Sequence, residues 1–191
     1  MSAILPPPER IWWNLPVGKE EIVWIALSLT WCLIMFAMMP LWHFYGKQNL
    51  SNEAYRITAS QFEARTKAMA DQYEVRTESA MNIPVVHPPA IGDALPNGET
   101  STGDVYMLGR LWQWWPMLEL EKDKSYRLHL SSLDWQHGFS LQPININMQV
   151  LPDYEMVLTI TPDTSGEFTI VCNEYCGINH HTMLGKIYVK E

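Results

Sequence analysis

The hydrophobic positions of the chain follow two different patterns, one in each half. Residues 22–45 contain no Asp, Glu, Lys or Arg, and about 20 apolar residues are enough for a helix to cross a bilayer. From Val105 onward, apolar residues come in short runs, several of which alternate with polar residues. The pattern predicts a membrane-spanning helix over residues 22–45 and a β-rich domain over residues 105–191.

The β-rich domain is predicted to hold seven short strands. Their sequences are rich in β-branched and aromatic residues, and turn signals such as Pro152-Asp153 separate some of them. So many strands in so short a domain indicate an all-β sandwich or barrel with Greek-key connections. The predicted strands are VYMLGRLW, SYRLHLSSL, GFSLQ, INMQVLP, EMVLTITP, GEFTIVC and GKIYVKE.

The region between the two parts, residues 46–104, changes in composition along its length. Residues 49–80 contain no Gly or Pro and many helix-forming residues, so a helix is predicted there. Tyr55, Phe62 and Met69 fall on one narrow apolar stripe of this helix, which needs a partner such as another subunit or the membrane surface. The remainder, up to residue 104, is a connector rich in Pro and Gly.

The beginning of the chain and its overall composition add further limits. Residues 1–21 hold several prolines and few charges, which is typical of an extended arm. The apolar run behind this arm is too long for a signal peptide and lacks a small-residue cleavage site. Three cysteines argue against a complete disulfide framework. The net charge of -8 disfavours nucleic acid as a partner and fits either a basic protein partner or no particular partner.

The segment VCNEYCGINHHTMLG, between the last two predicted strands, is dense in residues that bind metals. Cys172, Cys176, His180 and Met183 have the spacing C-x3-C-x3-H-x2-M, and an earlier loop contributes His137. Two thiolates, two imidazoles and a thioether are soft or borderline donors, which select copper over hard cations. A structural zinc site normally uses four Cys or His ligands and leaves Met183 unexplained.

Each of these residues also has an ordinary interpretation. Cys172 and Cys176 can form a disulfide in an oxidising compartment, since a spacing of four can be bridged in a loop. Met183 can be a core residue, and His180 can be a surface residue. The joint spacing of all four residues favours a metal site over these separate explanations.

The motif C-x-E-x-C-G-x-x-H-x-x-M, after an upstream D-x-x-H, closely resembles the dinuclear copper A site of the cytochrome c oxidase subunit II family. The resemblance covers the anchor and the β-rich domain, and it is nearest to the single-span B-type form. It implies an all-β cupredoxin-like Greek-key sandwich preceded by one transmembrane helix and a further helical segment. It also implies two coppers bridged by the two thiolates. By the family pattern, the ligands are His137, Cys172, the main-chain carbonyl of Glu174, Cys176, His180 and Met183.

The sequence GRLWQWW is a second match to this family. Gly109, Trp112 and Trp114 fall on the family positions G-x-x-W-x-W, and the resemblance implies that Trp112, with Trp114 beside it, receives electrons from cytochrome c. The alternative is that these tryptophans belong to the sandwich core or to a subunit interface. Trp135, in the loop DWQH, departs from the family pattern, in which a small aliphatic residue is usual.

The function implied by the resemblance is that of the electron-accepting subunit of a membrane haem-copper terminal oxidase. Such a subunit takes electrons from cytochrome c or a similar small redox protein at copper A and passes them to haem in a large catalytic subunit. Haem and any further metal belong to partner subunits, and this chain would carry no catalytic residue. Two alternatives stay open, namely the same role in a copper A-containing nitric oxide reductase and a membrane-tethered copper carrier.

The orientation of the span follows from the family plan and not from charge. More positive charges follow the span than precede it, which taken alone places the C-terminal part in the cytoplasm. The residues counted are Arg10 and Lys19 before the span and Lys47, Arg56, Arg65 and Lys67 after it. The family plan requires the copper domain outside the cytoplasmic membrane. We therefore expect a single-pass protein of the cell membrane with residues 105–191 on the periplasmic or extracellular side.

Overall fold

The computed structural model describes residues 16–45, 53–78, 80, 82–144 and 146–191. The arm predicted over residues 1–21 lies outside the described residues as far as residue 15, and so does Lys47. The chain forms two compact units, and the second of them is Asn49–Glu191.

The first unit contains helix α1, Lys19–Tyr45, and none of the side chains of this helix is buried. Glu21, in the first turn, accepts a hydrogen bond from Gly18 N (2.7 Å) at the end of the helix where the dipole favours negative charge. The helix continues through Pro40, and its most apolar window has a mean hydropathy of 2.2. The helix predicted over residues 22–45 is confirmed, and by length and composition it can cross a membrane.

The second unit is a mostly-β sandwich, as predicted, and its described residues include one α-helix, α2, over Ala59–Tyr73. One sheet has the strand order β1-β10-β7-β4-β5, and the other has the order β2-β3-β6-β12-β11-β8-β9. The strands are β1 Glu53–Arg56, β2 Glu74–Glu78, β3 Ile83–Val86, β4 Asp104–Arg110, β5 Gln113–Trp115, β6 Met117–Glu121, β7 Tyr126–Ser132, β8 His137–Gln142, β9 Ile146–Val150, β10 Tyr154–Ile160, β11 Gly166–Cys172 and β12 Leu184–Lys190. All seven predicted strands are present, as β4 and β7 to β12.

The core between the sheets explains the alternation seen in the sequence. Val105 and Met107 of β4 lie opposite Leu128 and Leu130 of the parallel strand β7, and all four are almost completely buried. Phe139 of β8, in the other sheet, belongs to the same buried cluster. Residues two apart on a strand face the same side, so each strand contributes one apolar face. Full burial of each such side chain stabilises the fold by about 1.5–3 kcal/mol.

The helix predicted over residues 49–80 is right in its centre and wrong at both ends. It begins with a capping box, in which Thr58 Oγ1 accepts a hydrogen bond from Gln61 N and Gln61 Oε1 accepts one from Thr58 N, both at 3.3 Å. The segments on either side form β1, which pairs with β10, and β2, which pairs with β3. Pairing with another strand, which is distant in sequence for β1 and adjacent for β2, therefore overrides the local helix propensity at both ends.

The apolar stripe of α2 packs on a sheet of this chain. Phe62 is fully buried, and its ring lies edge-on to the ring of Tyr106 in β4, with centroids 5.8 Å apart. Met69 Sδ accepts a hydrogen bond from Tyr106 N at 3.3 Å. Tyr55 departs from the stripe, because it lies in β1 with about half of its surface exposed. The five-stranded sheet thus supplies the partner surface that the stripe requires.

The segment that follows β11 lies at one end of the seven-stranded sheet, beside the beginning of β8. Asn173 N donates to Gly138 O (3.3 Å), and Cys172 N donates to Met183 O (3.2 Å). These contacts close the motif segment into a loop next to His137, the first residue of β8.

Candidate metal centre

Two cysteines form the centre of the site. Cys172 is the last residue of β11 and pairs with Phe139 of β8, whereas Cys176 lies in the loop that follows. Both are almost completely buried, and both thiols are free. Their Sγ atoms lie 3.8 Å apart, well beyond the roughly 2.05 Å of a disulfide bond. The two sulfurs are therefore unbonded to each other and close enough to belong to one site.

His137, the first residue of β8, places its imidazole next to the sulfur of Cys172. It is fully buried, and its Nδ1 lies 3.9 Å from Cys172 Sγ. Its Nε2 lies 2.8 Å from Asp134 Oδ1. Asp134 is held in turn by two backbone donors, Leu111 N at 2.7 Å and Trp135 N at 2.6 Å. Nδ1 is therefore the nitrogen that faces the thiols.

The remaining predicted donors surround the same two sulfurs. His180 begins a short 3-10 helix, and its Nδ1 lies 3.6 Å from Cys176 Sγ. Met183 Sδ lies 3.8 Å from Cys176 Sγ, and Glu174 O lies 3.3 Å from Cys172 Sγ. The structure thus brings together all six predicted ligand residues, while His181 is exposed. That these residues bind metal stays a prediction.

The electrostatics of the site separate the two thiols. Burial raises the pKa of the Cys172 thiol, but hydrogen bonds from His137 and from the backbone outweigh it and lower the pKa to about 6. Burial and the neighbouring Cys172 thiolate raise the pKa of Cys176 to about 12. Because the thiols interact, their two protons are lost in separate steps, and the loss of the first makes the loss of the second harder.

The histidine and aspartate pKa values shift in the directions expected of an ion pair. Burial lowers the pKa of His137, but the Cys172 and Asp134 side chains outweigh this effect and raise it. Burial raises the pKa of Asp134, but the hydrogen bonds from His137, Leu111 N and Trp135 N bring it below its usual range. Asp134 is therefore an anion that orients His137.

The two tryptophans predicted to receive electrons occupy different environments. Trp112 is half-buried, and its Nε1 donates to the carbonyl of Cys176 at 3.3 Å. Trp114 is fully buried, with its ring edge-on to His137 and Phe139 at centroid distances of 6.0 and 5.4 Å. A side chain at Gly185 would collide with it, because an added Cβ would lie 2.7 Å from Trp114 Cβ. Trp114 is a core residue that an external donor cannot contact, whereas Trp112 has an exposed part.

The segments that build the site also carry large apolar side chains in contact with solvent. We call these residues the apolar rim, and they are Leu111, Trp135, Tyr175 and Ile178, exposed by 38%, 58%, 77% and 83%. Such exposure of large apolar side chains around a site marks a surface for a protein partner. Sequence patterns missed this property because strand and loop periodicity do not distinguish an exposed apolar residue from a core one.

The chain is similar in sequence to curated proteins named as subunit 2 of cytochrome c oxidases. The curated protein named cytochrome c oxidase subunit 2 from Thermus thermophilus is 30% identical over 172 residues, which are 88% of this chain and 90% of that protein. The alternative cytochrome c oxidase subunit 2 from Bradyrhizobium diazoefficiens is 23% identical over 193 residues, which are 99% of this chain and 62% of that protein. No protein-family model matches the chain.

A solved structure of a haem-copper terminal oxidase dimer contains a chain of similar fold, with a TM-score of 0.55 and 20% identity. The match covers 90% of this chain and all of that one. The fold and the cysteine-histidine loop define the class of the protein as a cupredoxin-like sandwich with a candidate metal centre at one end. The chain belongs to the cytochrome c oxidase subunit II family.

Proposed function

We propose that this chain is the electron-accepting subunit of a membrane haem-copper terminal oxidase and that its loop site holds a dinuclear copper A centre. The observation that carries the proposal is the pair of buried, unbonded thiols, Cys172 and Cys176, with their Sγ atoms 3.8 Å apart. An imidazole Nδ1 lies within 4 Å of each sulfur, from His137 at one and from His180 at the other. Membership of the subunit II family supports the same role.

The donors present fit copper. Thiolate sulfur, thioether sulfur and imidazole nitrogen together favour copper over hard cations. The residues that would hold the copper ions are Cys172, Cys176, His137, His180, Met183 and Glu174, the last through its main-chain carbonyl. Copper held there supplies one-electron transfer with little change in geometry.

The residues of the chain contribute rigidity and exclusion of water. Cys172, Cys176, His137 and Met183 are each at least 96% buried. Cys172 is the last residue of β11, and His137 is the first residue of β8. Met183 is tied to β11 because its carbonyl oxygen accepts a hydrogen bond from Cys172 N. A site fixed by two strands changes little when its charge changes, which favours fast electron transfer at small driving force.

The donor is proposed to be cytochrome c or a similar small redox protein that contacts the apolar rim. Trp112 would receive the electron, because it is accessible and its indole N–H is bonded to the carbonyl of Cys176. The electron would then pass to haem in a large catalytic subunit, which is the second partner. With α1 as the single membrane span, the sandwich would lie on the periplasmic or extracellular side of the cell membrane.

Metal analysis and electron paramagnetic resonance of the full chain in detergent test this proposal. The copper-loaded protein is expected to hold two coppers per chain, with one unpaired electron coupled to both nuclei. Cys172→Ser removes a bridge and is expected to abolish this signal, whereas Met183→Leu is expected to keep both coppers and change the reduction potential, since thioether ligands are weak. One copper per chain, or a Cys172-Cys176 disulfide in the loaded protein, would contradict the proposal.

A further inference from the structure

A glycine on β8 leaves a space that the ligand loop fills. An added Cβ at Gly138 would lie 1.9 Å from Asn173 Oδ1, 2.8 Å from Glu174 N and 2.9 Å from Glu174 Cγ. No side chain fits there without displacing the loop. Asn173 and Glu174 thus lie against the backbone of the β8–β9 hairpin, where Asn173 N also donates to Gly138 O at 3.3 Å.

The partner strand β9 holds both loop side chains from the exposed face of the hairpin. Asn147 Oδ1 accepts a hydrogen bond from Asn173 Nδ2 at 3.1 Å, and Gln149 Nε2 donates one to Glu174 Oε1 at 3.2 Å. Asn147 and Gln149 are two residues apart on the strand, so both side chains face the same way. Gln149 pairs directly with Gly138 across the hairpin, so it lies next to the space at Gly138 that the loop fills.

We propose that Asn147 and Gln149 are positioning residues that clamp the ligand loop onto the β8–β9 hairpin through Asn173 and Glu174. The inference deepens the proposed function, because the clamped residues lie between Cys172 and Cys176. The clamp fixes the main chain of Glu174, whose carbonyl oxygen lies 3.3 Å from Cys172 Sγ. It also keeps the loop closed over two thiols that are buried although Asn173, Tyr175 and Ile178 of the same loop are exposed.

Thiol labelling of the metal-free chain tests the clamp without copper. The full chain in detergent, with Cys32→Ser so that only Cys172 and Cys176 react, is treated with a thiol-specific chromogenic disulfide. Asn147→Ala and Gln149→Ala each remove one hydrogen bond that favours the closed loop. Each variant is expected to speed labelling by about threefold to tenfold. The matched control is Gln142→Ala, which removes an exposed amide of the same hairpin whose Nε2 donates to Ser140 Oγ at 2.8 Å.

Exchanging the amide of Gln149 with the carboxylate of Glu174 gives a second test. Gln149→Glu alone places two carboxylates face to face and is expected to speed labelling more than Gln149→Ala. The same change combined with Glu174→Gln restores one donor and one acceptor with the original net charge. This double variant is expected to return to within about twofold of the parent rate.

The copper-loaded variants add a measurement that a purely structural role would not affect. The paramagnetic signal of Gln149→Ala is expected to change in its copper hyperfine pattern, while the unfolding temperature of the metal-free protein stays near that of the parent. Labelling rates equal to those of the parent and of Gln142→Ala would overturn the clamp. Absence of a two-copper signal in the parent protein would overturn the proposed function instead, and the labelling would still decide the clamp.

Discussion

His137 has both ring nitrogens engaged by different partners, and this fixes the nitrogen that faces the thiols. Asp134 holds Nε2 from behind at 2.8 Å, and backbone donors from two loops hold Asp134. A histidine held in this orientation can bind a metal ion without first having to reorient. The same aspartate links the histidine to Leu111, which adjoins Trp112. Asp134, the predicted ligand His137 and the predicted electron-entry residue Trp112 are thus neighbours in one network.

Trp112 and Trp114 both fall on the same sequence motif, but their different burial leads to different expected roles. We expect Trp112→Leu to slow reduction of the copper-loaded chain by an external cytochrome, because Trp112 alone of the two reaches the surface. We expect Trp114→Ala to lower the free energy of unfolding by about 3–5 kcal/mol, because it empties a fully buried aromatic position. Stopped-flow reduction and denaturant titration measure the two effects.

The control for these variants is the copper content. Trp112→Leu should retain the copper and the unfolding midpoint of the parent protein. If Trp112→Leu unfolds the chain, or if it leaves the reduction rate unchanged, Trp112 is a packing residue and electrons arrive elsewhere.

At the scale of elements, the strands predicted from the sequence carry their own hydrophobic signal, although β6 (MLELE), which alternates in the same way, is not among them. The seven predicted strands have buried faces, whereas β1 (EAYR) is exposed throughout and β2 (EVRTE) nearly so, as charged edge strands commonly are. β3 contains Pro84 and β5 has three residues, so neither gives a periodic pattern. β1 pairs with β10 and β3 with β6, which are distant in sequence, whereas β2 and β5 form short hairpins with β3 and β4. The candidate metal motif was predictable because five of its six residues lie within positions 172–183, whereas the contacts of Asn147 and Gln149 with the loop arise only from the tertiary structure.

Glu119 of β6 joins three strands of the seven-stranded sheet. Its carboxylate is almost completely buried and contacts Arg76 of β2 and Lys190 of β12. Burial raises the pKa of Glu119, but the hydrogen bonds from Arg76 and Lys190 outweigh it, and the pKa lies below its ordinary value of 4.5. A lowered pKa in the folded state means stability that is present above the unfolded pKa and is lost as pH falls through the folded one.

We therefore expect the free energy of unfolding to fall as the pH drops below about 4.5, with Glu119 contributing to the slope. Glu119→Gln should reduce stability near neutral pH by about 1–3 kcal/mol and make the acid dependence shallower. Denaturant titration across pH measures both. The matched control is Glu167→Gln, which alters an exposed ion pair with Lys186 and should change little. An unchanged acid slope in Glu119→Gln would assign the acid sensitivity to other carboxylates.

At the scale of the whole molecule, the net charge favours attraction of a basic donor, whereas the surroundings of the site favour an apolar contact. The chain carries a net charge of -8, which attracts a basic donor over distances that salt screens within about 8–10 Å. The apolar rim is uncharged, and the nearby carboxylates of Asp134 and Glu174 are engaged by His137 and Gln149. The final contact with a donor is therefore expected to be apolar.

We expect the rate of reduction by a small soluble cytochrome of near-zero net charge to change by less than about threefold between about 50 and 500 mM salt, because apolar contacts are not screened, whereas reduction by a basic cytochrome should slow as salt rises. Ile178→Ser should slow reduction at every salt concentration, since it removes the most exposed rim side chain. Stopped-flow measurements at several ionic strengths test both statements. A steep fall of the rate with salt would instead indicate that the acidic surface governs association.

The position of β12 has a consequence for biosynthesis. It follows every other strand in chain order, yet it lies near the middle of the seven-stranded sheet, between β6 and β11. A nascent chain lacking β12 has two sheet fragments with unpaired edges, and Met183, which immediately precedes β12, is not yet in place. Neither the sheet nor the site can be completed during synthesis of the earlier strands. Metal insertion into the proposed site would therefore follow the synthesis of β12, and we expect a chain truncated before β12 to be a substrate for proteolysis.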